Sequence, residues 1–192
     1  MSMDTLLSVV IGIGLSAACG FRVFVPLLVM SIASLSGHLT LSSGFQWIGS
    51  YPALIAFALA TALEIAGYYI PWVDHFLDVI AAPTAVVAGV VAMASTVTGM
   101  SPFLRWALAI IAGGGLAGTV QAHTSVARLT STATTLGLGN PVVSTVEAGG
   151  SFALSLAAIA LPLLALALVI ATLILLPWLW RKVLKKLPAD SP

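Results

Sequence analysis

Charged residues are scarce in this sequence. Asp, Glu, Lys and Arg make up 7% of its 192 residues and 60% are apolar, whereas soluble domains carry roughly a quarter charged residues. The mean hydropathy is +1.14. A soluble fold of this length could not hide so much apolar surface from water. The shortage of charge therefore predicts an integral membrane protein whose main partner is the lipid bilayer.

The sequence also lacks what several other functions require. Cys19 is its single cysteine, which excludes an intrachain disulfide and a cysteine-rich metal site. The net charge is only +1 and the basic residues form no broad face, so nucleic-acid binding is not expected. The motifs His-Glu-x-x-His and Gly-x-Ser-x-Gly are absent, and the glycines open no phosphate-binding loop. We therefore predict no cofactor and no enzymatic activity, and an intramembrane enzyme is the weakest hypothesis.

Five long apolar runs organise the chain. They lie at about residues 5–36, 51–70, 76–98, 102–122 and 152–180. Each approaches or exceeds the roughly 20 residues that cross a bilayer as a helix. The pattern predicts an all-α, polytopic helical bundle of about five spans in a single membrane domain, residues 1–192.

The first apolar run is too long for one straight crossing. As a helix it would extend about 48 Å, against a hydrocarbon core of about 30 Å. It is therefore expected to be either tilted or broken near Gly20 and Pro26.

Residues 123–150 are the internal stretch least compatible with lipid. They are rich in Thr, Ser and Gly and contain the sequence Gly-Leu-Gly-Asn-Pro at 137–141. Irregular backbone survives at membrane depth only when protein covers it or when it lines a wet cavity. The stretch is thus interpreted as either a re-entrant segment or an exterior loop.

The end of the chain carries a basic cluster. Trp178 and Trp180 precede four cations, which are Arg181, Lys182, Lys185 and Lys186. Aromatic residues favour the membrane interface, and Lys and Arg favour the cytoplasmic side. This pattern predicts a cytoplasmic basic tail over residues 181–192.

Two short matches at one offset indicate an internal repeat. At an offset of 101, Gly12–Ser16 aligns with Gly113–Ala117, and Gly49–Tyr51 aligns with Gly150–Phe152. A first half (5–71) and a second half (102–180) would then flank a linking span (76–98), and the second half would enter from the opposite side. Such inverted repeats place the sites of many transporters near mid-membrane. Chance similarity is the alternative, because Gly and Ala recur in membrane helices.

Two charged residues fall inside apolar runs. Arg22 lies near the middle of the first run, and an arginine cannot lose its proton to escape the cost of burial. Glu64 lies about two turns before Pro71 in an apolar helix, where an ionised side chain costs a few kcal/mol unless it is paired or hydrated. We expect Glu64 to be buried and either functional or bound to a partner, rather than snorkelling to the interface.

Asp74, His75 and Asp78 form an acidic group at the start of the third run. Asp74 and Asp78 are four residues apart and would project from one helix face. They could bind a cation or carry protons, and with His75 they are the candidate metal ligands, although hard cations usually need more oxygen atoms. The alternatives are that Asp74 is an N-cap and that Asp78 interacts with the helix dipole.

Three polar residues accompany the Ser- and Thr-rich stretch. His123 aligns with Arg22 at the repeat offset and could titrate near neutrality, or it could be an ordinary hydrogen-bonding group at a helix end. Arg128 and Glu147 are candidates for an ion pair across the stretch, in either a structural role or around a substrate.

Two segments resemble a bacterial membrane-protein family known as domain of unknown function 4126. They are Pro71-Trp72-Val73-Asp74-His75-Phe76-Leu77-Asp78, together with the residues back to Glu64, and the opening segment Gly14–Pro26, which contains Cys19-Gly20-Phe21-Arg22. The resemblance covers almost the whole chain. It implies a small multi-span membrane protein, with Arg22, Glu64, Asp74 and Asp78 at the family's polar positions, and it brings no established activity.

The buried charges favour a transporter or channel-like protein of the bacterial inner membrane. A polar cavity between the two halves would pass an ion or small polar solute and would be lined by the predicted pathway residues Arg22, Glu64, Asp74, Asp78, His123, Arg128 and Glu147. The alternative is a scaffold or assembly factor in which these charges form structural pairs. The Gly-rich helix faces are compatible with a homodimer.

Overall fold

The computed structural model describes residues 2–184 as a bundle of helices, with no strand in that range. The side chains of Pro71, Trp72, Asp74, His75 and residues 176–184 lie outside this description. In chain order the helices are α1 (Met3–Cys19), α2 (Phe24–Leu35), α3 (Tyr51–Gly67), α4 (Pro71–Thr96), α5 (Pro102–Leu108), α6 (Gly115–Thr135), α7 (Asn140–Ala160) and α8 (Pro162–Leu184). A 3₁₀ turn at Gln46–Gly49 precedes α3, and a π-helical segment, Ala109–Gly114, joins α5 to α6. The all-α prediction is confirmed.

Helix length and hydropathy indicate a membrane protein. In the described residues, three helical segments are long and apolar enough to cross a bilayer: Phe76–Thr96, Pro102–Thr135 and Asn140–Ala160. Four shorter apolar helices accompany them, at Met3–Cys19, Phe24–Leu35, Tyr51–Gly67 and Pro162–Leu175. The predicted number of about five spans stays a prediction.

The first apolar run is broken rather than tilted as one helix. Helix α1 ends at Cys19 and α2 begins at Phe24. Gly20 lets the broken segment lie close to α6, because a Cβ there would lie 2.5 Å from the Ala117 carbonyl oxygen. The four residues of the break place Arg22 inside the bundle.

Residues 123–150, predicted as either a re-entrant segment or an exterior loop, form a helical hairpin rather than an irregular loop, and the re-entrant alternative stays a prediction. Helix α6 continues to Thr135, and α7 begins at Asn140, with Pro141 in its first turn. Leu136 and Gly137 adopt positive φ values of 52° and 86° in the turn between them. The many Ser and Thr residues are compatible with this helix because their hydroxyl groups donate hydrogen bonds to carbonyl oxygens one turn earlier. Thr130, for example, donates to the Val126 carbonyl.

The last apolar run, predicted as one span at 152–180, is divided between two helices. Helix α7 ends at Ala160 and α8 begins at Pro162, whose ring cannot continue the preceding helix. Ala158 and Ala165 both lie against Gly14, so α7 and α8 converge on α1 at this break. The side chains of the predicted basic tail lie outside the described residues.

Helix α1 is the centre of the bundle and packs through small residues. Gly12 lies against Met93 of α4, and Gly14 against α7 and α8. Two buried serines add hydrogen bonds between helices: Ser16 Oγ donates to the Gly89 carbonyl at 2.8 Å, and Ser151 Oγ donates to the Ala18 carbonyl at 2.9 Å. Small side chains and polar bonds of this kind hold helices together in lipid, where apolar burial gives little preference.

The helix boundaries do not follow the predicted repeat. At the offset of 101, the break at residues 20–23 aligns with residues 121–124, which lie within α6. The break at Leu161 aligns with Ala60, which lies within α3. The repeat therefore stays a prediction that the helix boundaries do not support.

We expect Gly113→Ala to lower the free energy of unfolding by about 1–3 kcal/mol through overpacking. A Cβ at Gly113 would lie 2.6 Å from the Gly89 carbonyl oxygen and 2.7 Å from Met93 Cβ, where α4 crosses the π-helical segment. Gly115→Ala is the matched control, because no atom lies within 4 Å of its added Cβ. Thermal unfolding in detergent should show a lower midpoint for the first variant only; equal midpoints would contradict the close crossing.

Candidate functional site

Five segments converge on one buried charged network. The break between α1 and α2 contributes Arg22, the end of α3 contributes Tyr68, and α4 contributes Asp78. Arg128 comes from α6 and Glu147 from α7. We call these five residues the arginine–carboxylate network.

Arg22 is the most deeply buried member, with 1% of its surface exposed. Its Nη2 donates to Glu147 Oε2 at 3.1 Å and, one turn earlier on α7, to the carbonyl and hydroxyl oxygens of Ser144 at 3.0 and 2.5 Å. Its Nε and Nη1 are also buried, and no hydrogen-bond partner is found for them among the described residues. The guanidinium group therefore holds α7 through one nitrogen and keeps unused donors inside the protein.

Glu147 is bound by two guanidinium groups. Arg128 donates through Nε to Oε1 at 3.2 Å and through Nη2 to Oε2, and Arg22 Nη2 also reaches Oε2. Arg128 and Glu147 are 3% and 5% exposed. Two-point arginine–carboxylate contacts are strong and fix orientation as well as charge. The carboxylate thus links the first helix break to the α6–α7 hairpin.

Tyr68 and Asp78 complete the network. The guanidinium carbons of Arg22 and Arg128 lie 3.8 and 4.0 Å from the centre of the Tyr68 ring, within the range of cation–π attraction. Arg128 Nη1 lies 3.6 Å from Asp78 Oδ1, and the Asp78 side chain is 34% exposed. Asp78 therefore faces solvent or headgroups more than the other members do.

Glu64 stabilises the start of α2 instead of pairing directly with Arg22. Its carboxylate oxygens accept the backbone N–H groups of Val23 and Phe24, at 2.8 and 3.1 Å. Val23, the residue preceding α2, has no side chain that could cap the helix. A carboxylate from α3 thus satisfies helix-start donors that would otherwise be unpaired and interacts favourably with the positive end of the helix.

Two cavities approach the network from different sides. One of about 540 Å³ lies between the start of α2, α3 and α4, and Glu64 and Tyr68 line its inner wall. The other, of about 330 Å³, lies between α6 and α7 and is lined by Phe21, His123 and Glu147, among others. Arg22 lines neither cavity, but it contacts Tyr68 in the wall of the larger one and Glu147 in the wall of the smaller one.

His123 is near the network without joining it. Its Nδ1 lies 2.7 Å from the Thr119 carbonyl oxygen of its own helix, which makes this nitrogen the donor. The ring is half-buried in the wall of the smaller cavity.

The structure thus brings together four predicted site residues: Arg22, Asp78, Arg128 and Glu147. Glu64 lies beside them on the backbone of Val23 and Phe24, and the Asp74 side chain lies outside the described residues. The candidate metal ligands Asp74 and His75 cannot be placed for the same reason. In the part of the chain that is described, no group of three His, Cys, Asp or Glu side chains could hold a metal ion.

Sequence reasoning did not select Tyr68 or Ser144. Each, however, lies one helical turn from a predicted residue, Tyr68 four after Glu64 and Ser144 three before Glu147. Helical spacing could have placed them on the same faces.

Glu64→Gln should weaken the start of α2, because an amide can accept only one of the two N–H groups and turns a donor towards the other. We expect a loss of about 1 kcal/mol, typical of a lost N-cap. Hydrogen exchange at the Val23 and Phe24 amides should rise. The matched control is Thr61→Val, one turn earlier on α3, where the buried hydroxyl has no partner among the described residues. Unchanged exchange at both amides in Glu64→Gln would contradict the capping role.

A family model matches most of the chain. The model described as domain of unknown function (DUF4126) matches residues 9–182, a range that includes the whole arginine–carboxylate network. No curated protein matches the chain, and no solved structure matches it. The chain therefore belongs to the family of domain of unknown function 4126.

Proposed function

We propose that this protein is a small membrane transporter or channel-like protein that moves an ion or small polar solute past the arginine–carboxylate network. The observation that carries the proposal is Arg22, which is 1% exposed and whose Nε and Nη1 have no hydrogen-bond partner among the side chains that the structure describes. A permanently charged group with unused donors is costly inside an apolar bundle. Groups kept in the membrane at such a cost commonly belong to substrate or ion pathways.

The two cavities support this proposal. Glu64 and Tyr68 line the larger one and Glu147 lines the smaller one, so each cavity has a network residue in its wall. A transporter in a closed conformation needs a barrier to its solute. The ion pairs and the Tyr68 ring would form that barrier. Opening would need Glu147 or Tyr68 to leave the guanidinium groups.

The membrane setting is proposed on the same basis. We place the chain in the bacterial inner membrane as a multi-pass protein with a cytoplasmic C-terminus, guided by the basic residues after Trp180. A homodimer is proposed from its glycine-rich helix faces. The proposal involves no catalytic residue, metal or cofactor.

A non-transporting scaffold is the second candidate, and a specific observation favours it. The Glu147 carboxylate is paired with both arginines, and Glu64 is used as a helix cap. Charges with such partners are able to have a purely structural role, which is to fix the relative positions of helices. The two candidates differ in whether the network must change during function.

Reconstitution into liposomes distinguishes the two candidates. Protons, alkali cations, small anions and small neutral solutes would be screened with the wild-type protein, Arg22→Gln and Glu147→Gln. For a transporter we expect flux of one solute class and a loss of about tenfold or more in Arg22→Gln, as removal of a hydrogen-bonded charge costs about 1.5–3 kcal/mol.

Asp4→Asn is the matched control, because Asp4 is an exposed acid in the first turn of α1, at the end away from Arg22. It should retain wild-type flux. Equal flux in all four proteins, or flux in none of them, would reject the transport proposal and leave the scaffold.

A further inference from the structure

We propose that Glu147 occupies an anion-binding site as a tethered substitute for a small planar oxyanion, such as a carboxylate or nitrate. The anion would replace the Glu147 side chain when that side chain takes up a proton. This inference rests on the proposed transport function and specifies its substrate class.

The geometry of Glu147 defines the ligand. Its two oxygens meet Nε and Nη2 of Arg128, and one of them also meets Nη2 of Arg22. This two-point contact is the geometry in which a guanidinium group binds a free carboxylate. A planar anion with oxygens at carboxylate spacing could take the same donors.

The site has more donors than Glu147 uses. Arg22 directs three contacts through Nη2 alone, while its buried Nε and Nη1 find no partner within the described chain. A structural ion pair does not require this excess. A ligand with more acceptor oxygens than the tethered carboxylate would use it.

The smaller cavity gives the anion a place next to the site. It measures about 330 Å³, lies between α6 and α7, and has Glu147 in its wall beside Phe21 and His123. Its surface is almost entirely apolar, although Glu147, His123 and Thr124 are among its lining residues, so an anion would leave it for the guanidinium groups behind Glu147. The Tyr68 ring covers the two guanidinium groups on the side of the larger cavity.

Charge balance gives the stoichiometry. With Glu147 ionised, the two arginines and this carboxylate sum to one positive charge. When one proton neutralises Glu147 and one monovalent anion binds the arginines, the sum is again one positive charge. The buried charge stays constant, so the exchange avoids the cost of changing net charge away from water. The expected coupling is one proton per anion, moved together and without net charge.

The charged and titratable groups around Glu147 are consistent with this exchange. They are Arg22 in the α1–α2 break, Glu64 and Tyr68 at the end of α3, Asp78 on α4, and His123 and Arg128 on α6. Glu64 is held by two backbone N–H groups, and Asp78 is partly exposed beside Arg128. Glu147 is the carboxylate that both arginines contact directly, which makes it the group an incoming anion displaces.

Binding is tested first, on the full chain in detergent. In Glu147→Ala the tethered carboxylate is gone, and sodium nitrate or sodium formate should raise the thermal midpoint by several degrees in a saturable manner. The wild-type protein should show a smaller saturable shift, because nitrate must first displace Glu147 there, and the double variant Arg22→Gln/Glu147→Ala should show none. Equal shifts in all three proteins would reveal a general salt effect and overturn the anion site. If Glu147→Ala cannot be purified, Glu147→Gln serves, with nitrate protection measured against the same controls.

Formate and dodecanoate distinguish a dissolved anion from a lipid-borne one. If formate gives a saturable rise in the thermal midpoint, the natural ligand is a dissolved anion. If only dodecanoate gives that rise, the natural ligand is a carboxylate that reaches the site from the bilayer. Protection by neither of them, and none by nitrate, would overturn the proposal.

Coupling is tested in vesicles with a pH-sensitive dye inside. An inward nitrate gradient should acidify vesicles that contain wild-type protein or Asp4→Asn, while Glu147→Gln should pass nitrate without acidification. If nitrate raises the thermal midpoint of Glu147→Ala (nitrate rescue) but no solute is transported, the transport proposal is rejected and the anion site is kept. Flux of a cation or neutral solute, with neither nitrate rescue nor nitrate flux, would keep transport and overturn the anion site.

Discussion

The contact of Glu147 with two buried arginines is the interaction on which the rest of the structure depends. Neither arginine can give up its charge, and leaving one buried charge without its partner costs about 3–5 kcal/mol. The carboxylate compensates both at once and so ties the break after α1 to α6 and α7. Tyr68 and Asp78 extend the same network to α3 and α4. Five segments therefore share one electrostatic centre.

Close packing of the helix backbones brings the members of this centre together. Gly12 and Gly14 let α1 approach its neighbours, and Gly20 lets the break that holds Arg22 lie against α6. The break creates helix-start N–H groups on Val23 and Phe24, which Glu64 satisfies from α3. The break at residues 20–23 thus buries the charge of Arg22 and exposes the start of α2. Glu147 compensates the charge and Glu64 caps the helix start, each from another helix.

Composition predicted the helical class and the membrane setting, because apolar runs of this length fold as helices in lipid. It did not predict the division at Leu161 or the hairpin at 123–150, since a Ser- and Thr-rich segment can be helical when its hydroxyls bond to the preceding turn. The cost of burial selected Arg22 and Glu64, but their partners depend on helix packing. Glu64 meets backbone rather than arginine, and Tyr68 joins the site through its ring, which sequence spacing does not reveal. Arg128 and Glu147 were considered as a pair, and the structure places them in contact.

In the proposed exchange, Glu147 leaves the arginines as a neutral acid when an anion takes its place. Infrared difference spectroscopy tests it directly, by comparing the protein before and after nitrate is added. We expect a carboxylate signal to fall and a protonated carboxyl signal to rise in the wild-type protein, and neither change in Glu147→Gln. A carboxylate signal that stays constant while nitrate binds would contradict the claim.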